Sequence, residues 1–442
     1  MTTASAPREP AQAKNARDPI YEFGRREAEV MARFPSGKRI AVVRGRERAY
    51  PGLRSVAPST LPFYEAFAPL IRGKHVLDAG SGAGLGTRVL CDYAPHVTAL
   101  DHDARALEFG REYASGAEFL QADLCHGFPV DRADAAFLVD VLGHLAHPEA
   151  ALRGLRACLP AGSQLFVAEP KAYASQRLLP PARCAFSQAS LTRLLLRSGF
   201  ELEEIAEPGA NFVALAALRS ADPAVDALVE GLHQASRNQF LAARAEFARA
   251  RQSDRLEIKL EGTLGEAEAA FAANNGDDAV RCYFEANELS TSDGRALAGL
   301  ARVALATGEV EDALRLALDA LQRDPTDGSA HTAMAIAAEQ LSLPDAWNSW
   351  RIAVNLAPDD LEIATGLARA SAARQNYAFA IHVFERLRGY DTALGLQFHV
   401  TLAWLLLADG RKSDAAVEAR YAAAIAPDHA DVAELSAAVA AA

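Results

Sequence analysis

The feature that most constrains this chain is a spacing. Ala243, Ala279, Ala313, Ala346, Ala380 and Ala415 recur 33 to 36 residues apart. Small residues held at such a period mark places where the two helices of a stacked helix-turn-helix unit pass closely. One such unit cannot bury its apolar face alone, so a core forms only by stacking neighbours. In the clearest unit Leu300, Ala301, Ala304, Gly308, Ala313, Ala317 and Ala320 take the small or apolar contact positions, and Pro325 ends the second helix. Pro358 and Pro427 close two more. The spacing predicts an all-α solenoid of six units over 222–428 and a capping helix over 429–442. The first unit, and the one around Tyr377 and Phe384, are less regular.

Before Ala221 the pattern is different. The runs HVLDAG, HVTALD, AEFLQAD, DAAFLVDV, SQLFVAEP, FELEEIAE and FVALAAL read as seven strands alternating with helical spacing over 74–219. That alternation implies a mainly parallel α/β sheet covered on both faces. Only Pro208, Gly209 and their neighbours separate the last two runs, too few residues for a crossover helix, so these strands are expected to pair antiparallel. Upstream, 19–73 reads as a helical segment able to close over a site, with apolar spacing in YEFGRREAEVMARF and LPFYEAFAPLIRG. Residues 1–18 lack periodicity and read as a disordered leader.

A chain of 442 residues exceeds what one core organises, in keeping with this division. Its net charge of -12 gives no global footprint for nucleic acid or an anionic membrane. The five cysteines are scattered, with no CxxC pair or Cys/His cluster, which argues against a disulfide framework and a metal site. No long apolar run or secretory signal is present, so a soluble, cytoplasmic protein is expected.

The chemistry is concentrated in HVLDAGSGAGLGT, where the first of the seven strands should end and a helix begin. Glycines at such a turn permit positive φ and let a ligand approach the backbone. A dinucleotide fingerprint, GxGxxG, is the competing reading, but from Gly80 or Gly82 its last glycine would fall on Leu85 or Thr87. Asp78 adds a carboxylate at the strand end, which would repel a pyrophosphate and suits a ligand carrying ammonium and sulfonium groups.

Through 74–219 the sequence resembles the class I S-adenosylmethionine-dependent methyltransferases, whose Rossmann-like sheet has seven strands with the last antiparallel. The resemblance places the family's first motif on Asp78, Gly80, Gly82 and Gly84, with Ser81 in the same turn. It implies that Asp101, next to His102, accepts from the ribose hydroxyls. Asp123 would bond the adenine amino group, with Leu124 packed on the ring. FLVDVLGHLAHP resembles the fourth motif and places Asp140 and Val141 by the reacting methyl, with His144 or His147 as a candidate general base. An in-line displacement on a sulfonium requires no enzyme nucleophile. Tyr21, Phe23 and Arg25, or Tyr64 and Phe67, are candidates to line the donor site, and Arg177 and Arg183 lie where acceptor-specific insertions enter this fold.

The repeats resemble the tetratricopeptide repeat family, which implies a surface for a peptide or protein partner, or for a second copy of the chain. The expected function is methyl transfer to a peptide, protein or small biosynthetic acceptor, leaving S-adenosylhomocysteine. The alternative is a scaffold whose donor domain has lost catalysis.

Overall fold

The computed structural model describes residues 41–43, 46–48, 60–171, 183–206, 211–218, 222–344, 346–358, 360–388 and 394–441. The expected leader at 1–18 lies outside them, as do Tyr21, Phe23, Arg25 and Arg177. The chain divides into two compact units, one of 1–171 with 188–220 and the other of 172–187 with 221–442.

In the first unit, strands β3 (His75–Ala79), β4 (His96–Asp101), β5 (Glu118–Gln121), β6 (Ala135–Val139), β7 (Gln164–Pro170), β8 (Glu201–Ala206) and β9 (Asn211–Ala217) form one sheet in the order β5-β4-β3-β6-β7-β9-β8. The first five run parallel, and β9 is antiparallel to both β7 and β8. All five residues of β6, AAFLV, are buried, which is the pattern of a central strand with both faces covered. At the far edge β8 exposes Glu203 and Glu204, charges that discourage further strand addition.

Helix α1 (Leu61–Phe67) packs Phe63 and Phe67 against the sheet, their rings 4.7 Å apart, with Phe67 5.4 Å from Phe166. Pro69, which has no N–H to give the helix, falls where it tightens into a single 3-10 turn, Ala68–Ile71. This is the helix expected from LPFYEAFAPLIRG. The rest of 19–73 is not helical throughout: Ala41–Val43 (β1) and Arg46–Arg48 (β2) pair antiparallel. Val42 and Val43 are β-branched and favour an extended chain, which outweighs the helical reading there.

The second unit is all helical. Among the described residues, helices pair over 223–250, 256–289, 295–323, 328–356, 361–387 and 396–425, followed by a last helix Ala430–Ala441. The first helices of successive pairs pack on one another, whereas the second helices pack chiefly against their neighbours in sequence, so the two sets form separate layers. The six alanines of the period lie in the second helices and are buried. Two glycines of the first helices serve the same packing. A Cβ at Gly299 would lie 2.2 Å from the Tyr283 ring, and one at Gly366 2.4 Å from the Trp350 ring.

The period also appears in the ion pairs. Arg244 with Asp278, Arg251 with Glu285, Arg295 with Glu261 and Arg302 with Glu268 each join residues 34 apart. A charge in one pair thus meets its opposite at the corresponding place in the next. No described helix is long and apolar enough to cross a membrane.

Candidate active site

The site gathers at the carboxyl ends of β3, β4, β6 and β7. β3 ends in Asp78 and Ala79, and the chain turns through Gly80–Gly84 into α2 (Leu85–Leu90). Gly80, Gly82 and Gly84 all have positive φ, +82°, +53° and +78°. The N–H groups of Gly80 and Ser81 donate to the Leu100 carbonyl at 2.8 and 2.9 Å, tying the turn to β4. A Cβ on Gly80 would lie 2.4 Å from Val141, so that glycine admits the loop after β6. Gly82 faces open space on the side a Cβ would take.

Asp78 does not face that opening. It is fully buried, with Tyr64 Oη donating to Oδ1 at 2.9 Å and Thr87 Oγ1 to Oδ2 at 2.6 Å. Burial pushes its carboxyl up to about 6 against the hydrogen bonds from Thr87 and Tyr64, and the Asp101 charge adds to the rise. Its link to the turn is mechanical. A Cβ at Gly86 would overlap the Tyr64 ring at 2.2 Å, so the glycine is what lets Tyr64 reach Asp78. Tyr64, proposed from sequence as a site-lining residue, is instead packed inside, its ring stacked 5.5 Å from Phe137. Phe67 is likewise core.

Asp101, at the end of β4, accepts from Gly82 N–H at 2.8 Å and from Asp103 N–H at 2.9 Å, with His102 Nδ1 3.3 Å away. Burial opposes its charge, but the bonds from His102 and these two backbone groups prevail and hold it below the usual carboxylate range. Asp123, after β5, is half exposed and accepts from Cys125 N–H at 2.9 Å, with His126 Nδ1 2.8 Å away; Leu124 beside it is buried.

The loop after β6 contains Asp140, a non-glycine residue at φ +57°. His144 Nε2 lies 3.4 Å from Asp140 Oδ1, and His144 Nδ1 is turned into the protein. His147 is exposed and starts helix α3 (Pro148–Cys158), where its carbonyl accepts from Ala150 and Ala151.

Glu169 is the residue that sequence reasoning missed. It ends β7, is 1% exposed, and accepts from three successive backbone N–H groups: Val141 at 2.9 Å, Leu142 at 2.7 Å and Gly143 at 3.2 Å. Burial, helped by the Asp140 charge, pushes its carboxyl up to about 7 against those three bonds. The available signal was a lone glutamate closing the apolar run QLFVAEP.

Residues 54–205 match the family model described as a methyltransferase domain. Among solved structures, the chain is similar to an S-adenosylmethionine-dependent methyltransferase from Mesorhizobium loti (19% identity, 35% of this chain and 96% of that one, TM-score 0.31). It is also similar to a SAM-dependent methyltransferase from Aquifex aeolicus (20% identity, 34% and 85%, TM-score 0.31) and to DhpI in complex with SAH (26% identity, 46% and 97%, TM-score 0.32). No curated protein matches the chain. The first unit carries a methyltransferase domain, and the chain is an enzyme of that class. S-adenosylmethionine is the methyl donor that the sequence resemblance implies. The residues present fit such a donor: Gly82 opens the turn, Asp101 stands beside it, and the Ser81 hydroxyl is buried with no partner among the described residues.

Proposed function

We propose that the protein transfers the methyl group of S-adenosylmethionine to a peptide, protein or small biosynthetic acceptor in the cytoplasm, and that its helical unit is a tetratricopeptide array that docks the acceptor or a partner. The observation that carries the donor reading is the turn Gly80–Gly84 clamped between the Leu100 carbonyl and the Asp101 carboxylate, at the centre of the sheet. Ser81, Gly82 and Gly84 provide the surface for the donor's methionine portion, and Asp101 with His102 that for its ribose. Asp123 and Leu124 flank the adenine, and Asp140 with Val141 the methyl. The bound donor supplies an activated methyl on a good leaving group, so the protein's part is to position it and exclude water. Asp78 contributes from behind by fixing the turn through Thr87.

For the array, the support is the six helix pairs and the ion pairs at a separation of 34, the period of that repeat. Calorimetry tests the donor half. S-adenosylhomocysteine should bind one to one, and Asp101→Ala should weaken it at least about tenfold; binding unchanged by that substitution would remove the site assignment. For the docking half, deleting the helical unit should leave donor binding intact while abolishing methylation of the acceptor in a cell extract. Equal methylation by the truncated protein would contradict it.

A further inference from the structure

Four carboxylates surround the donor turn, and three are held by donors of the protein itself. Asp78 is fully buried between Tyr64 and Thr87, Asp101 accepts from Gly82 and Asp103, and Glu169 accepts from three N–H groups. Asp140 differs, because its side chain keeps 40% of its surface. It is also the most elaborately placed. Its own N–H donates to the Ala168 carbonyl at 2.8 Å, the next three N–H groups converge on Glu169, and Val141 closes onto Gly80. This framework holds an aspartate at φ +57°, a conformation that residues with a Cβ rarely take, directly beside the donor turn.

We propose that Asp140 is the group facing the acceptor and that the acceptor atom is the nitrogen of a neutral amine; this rests on the donor site being the glycine turn. Methyl transfer to nitrogen moves positive charge. The nitrogen lone pair forms the new N–C bond while the C–S bond breaks, its electron pair stays on sulfur, and the charge passes from sulfur to nitrogen. A carboxylate fixed on the acceptor side stabilises that charge where it develops. The extra proton on nitrogen then leaves to water. Other acceptor classes fit this geometry less well. A hydroxyl must lose its proton as it reacts, and a carboxylate is a weak base for that task. His144, the candidate base, points Nε2 at Asp140 and Nδ1 into the protein, so it acts as a positioning residue for Asp140. A carboxylate acceptor would meet like charge from Asp140.

The test compares two ligands by calorimetry on the full chain: S-adenosylhomocysteine, and sinefungin, the analogue with an amine-bearing carbon in place of the methyl-bearing sulfonium. Wild type should bind sinefungin at least about tenfold more tightly. Asp140→Asn, which keeps the shape and removes the charge, should abolish that preference. Loss of both affinities alike, or a preference unchanged in the variant or absent in wild type, would overturn the proposal. Failure of wild type to bind either ligand would instead overturn the donor site itself. In a second arm, wild type is incubated with labelled donor and a cell extract. Label should be recovered as an N-methyl group stable to alkali. Label only in esters or ethers, or in no amine-bearing product, would overturn the nitrogen assignment.

Discussion

The two units are specified in opposite ways. Around the glycine turn each contact occurs once: a single tyrosine reaches Asp78, and a single glutamate gathers three N–H groups. In the helical unit equivalent contacts recur, with an alanine in each second helix and ion pairs repeated at one separation. Losing a singular contact leaves partners with no substitute, whereas losing a repeated one leaves its equivalents in place. Function that demands one geometry therefore falls to the first unit, and the second tolerates local change.

The largest effect should come from Glu169→Ala, which strands three buried N–H groups; at about 1–3 kcal/mol each, partly relieved by relaxation, a loss of about 3–5 kcal/mol is expected in urea unfolding. Loss under about 1 kcal/mol would mean that another group or water takes over those donors. Next comes Gly86→Ala, whose methyl meets the Tyr64 ring, with an expected cost of about 2–3 kcal/mol and weaker donor binding. Tyr64→Phe keeps the ring and removes only the bond to Asp78, so about 1–2 kcal/mol should be lost. Smallest is Arg302→Ala, which breaks a partly exposed pair with Glu268; under about 1 kcal/mol is expected, less in high salt.

Acidity should separate the units further. Asp78 and Glu169 have folded pKa values of about 6 and about 7, above their ordinary ones, so between about pH 4 and 7 the folded first unit binds more protons than the unfolded chain. Its stability should therefore fall as pH rises through that window. Glu257 and Asp278 in the helical unit are shifted downward, so their contribution is lost only as pH falls below the ordinary carboxylate range. Trp347, Trp350 and Trp404, the three tryptophans of the chain, all lie in the helical unit, so their fluorescence reports that unit. Hydrogen exchange in β3 and β6 follows the other. Protection of β3 and β6 that increases from pH 5 to 7 would break the contrast.

What was legible in the sequence follows the same division. Periodic features show in a chain because repetition separates them from chance, so the seven strands, their antiparallel end and the small-residue period were all readable. The glycine turn was readable because a strand-to-helix turn with positive φ at three positions leaves few residue choices. Side-chain direction was not. Asp78 carries the residue type suited to a cationic ligand, yet Tyr64 and Thr87, 14 and 9 residues away, hold it inside. Glu169 meets Val141 across 28 residues and two strand ends, a distance no local pattern encodes. The β1–β2 pair was missed because the apolar spacing on either side suggested helix and the β-branched run was short.

The most direct measurement is calorimetric titration of the full chain with S-adenosylmethionine, alongside Asp101→Ala. The carboxylate of Asp101 closes on Gly82, and the proposed donor site assigns it to the ribose. One molecule should bind per chain, and the variant should bind at least about tenfold more weakly with hydrogen-exchange protection in β3 and β6 retained. Equal affinity in both proteins, or no heat of binding in either, would contradict the account.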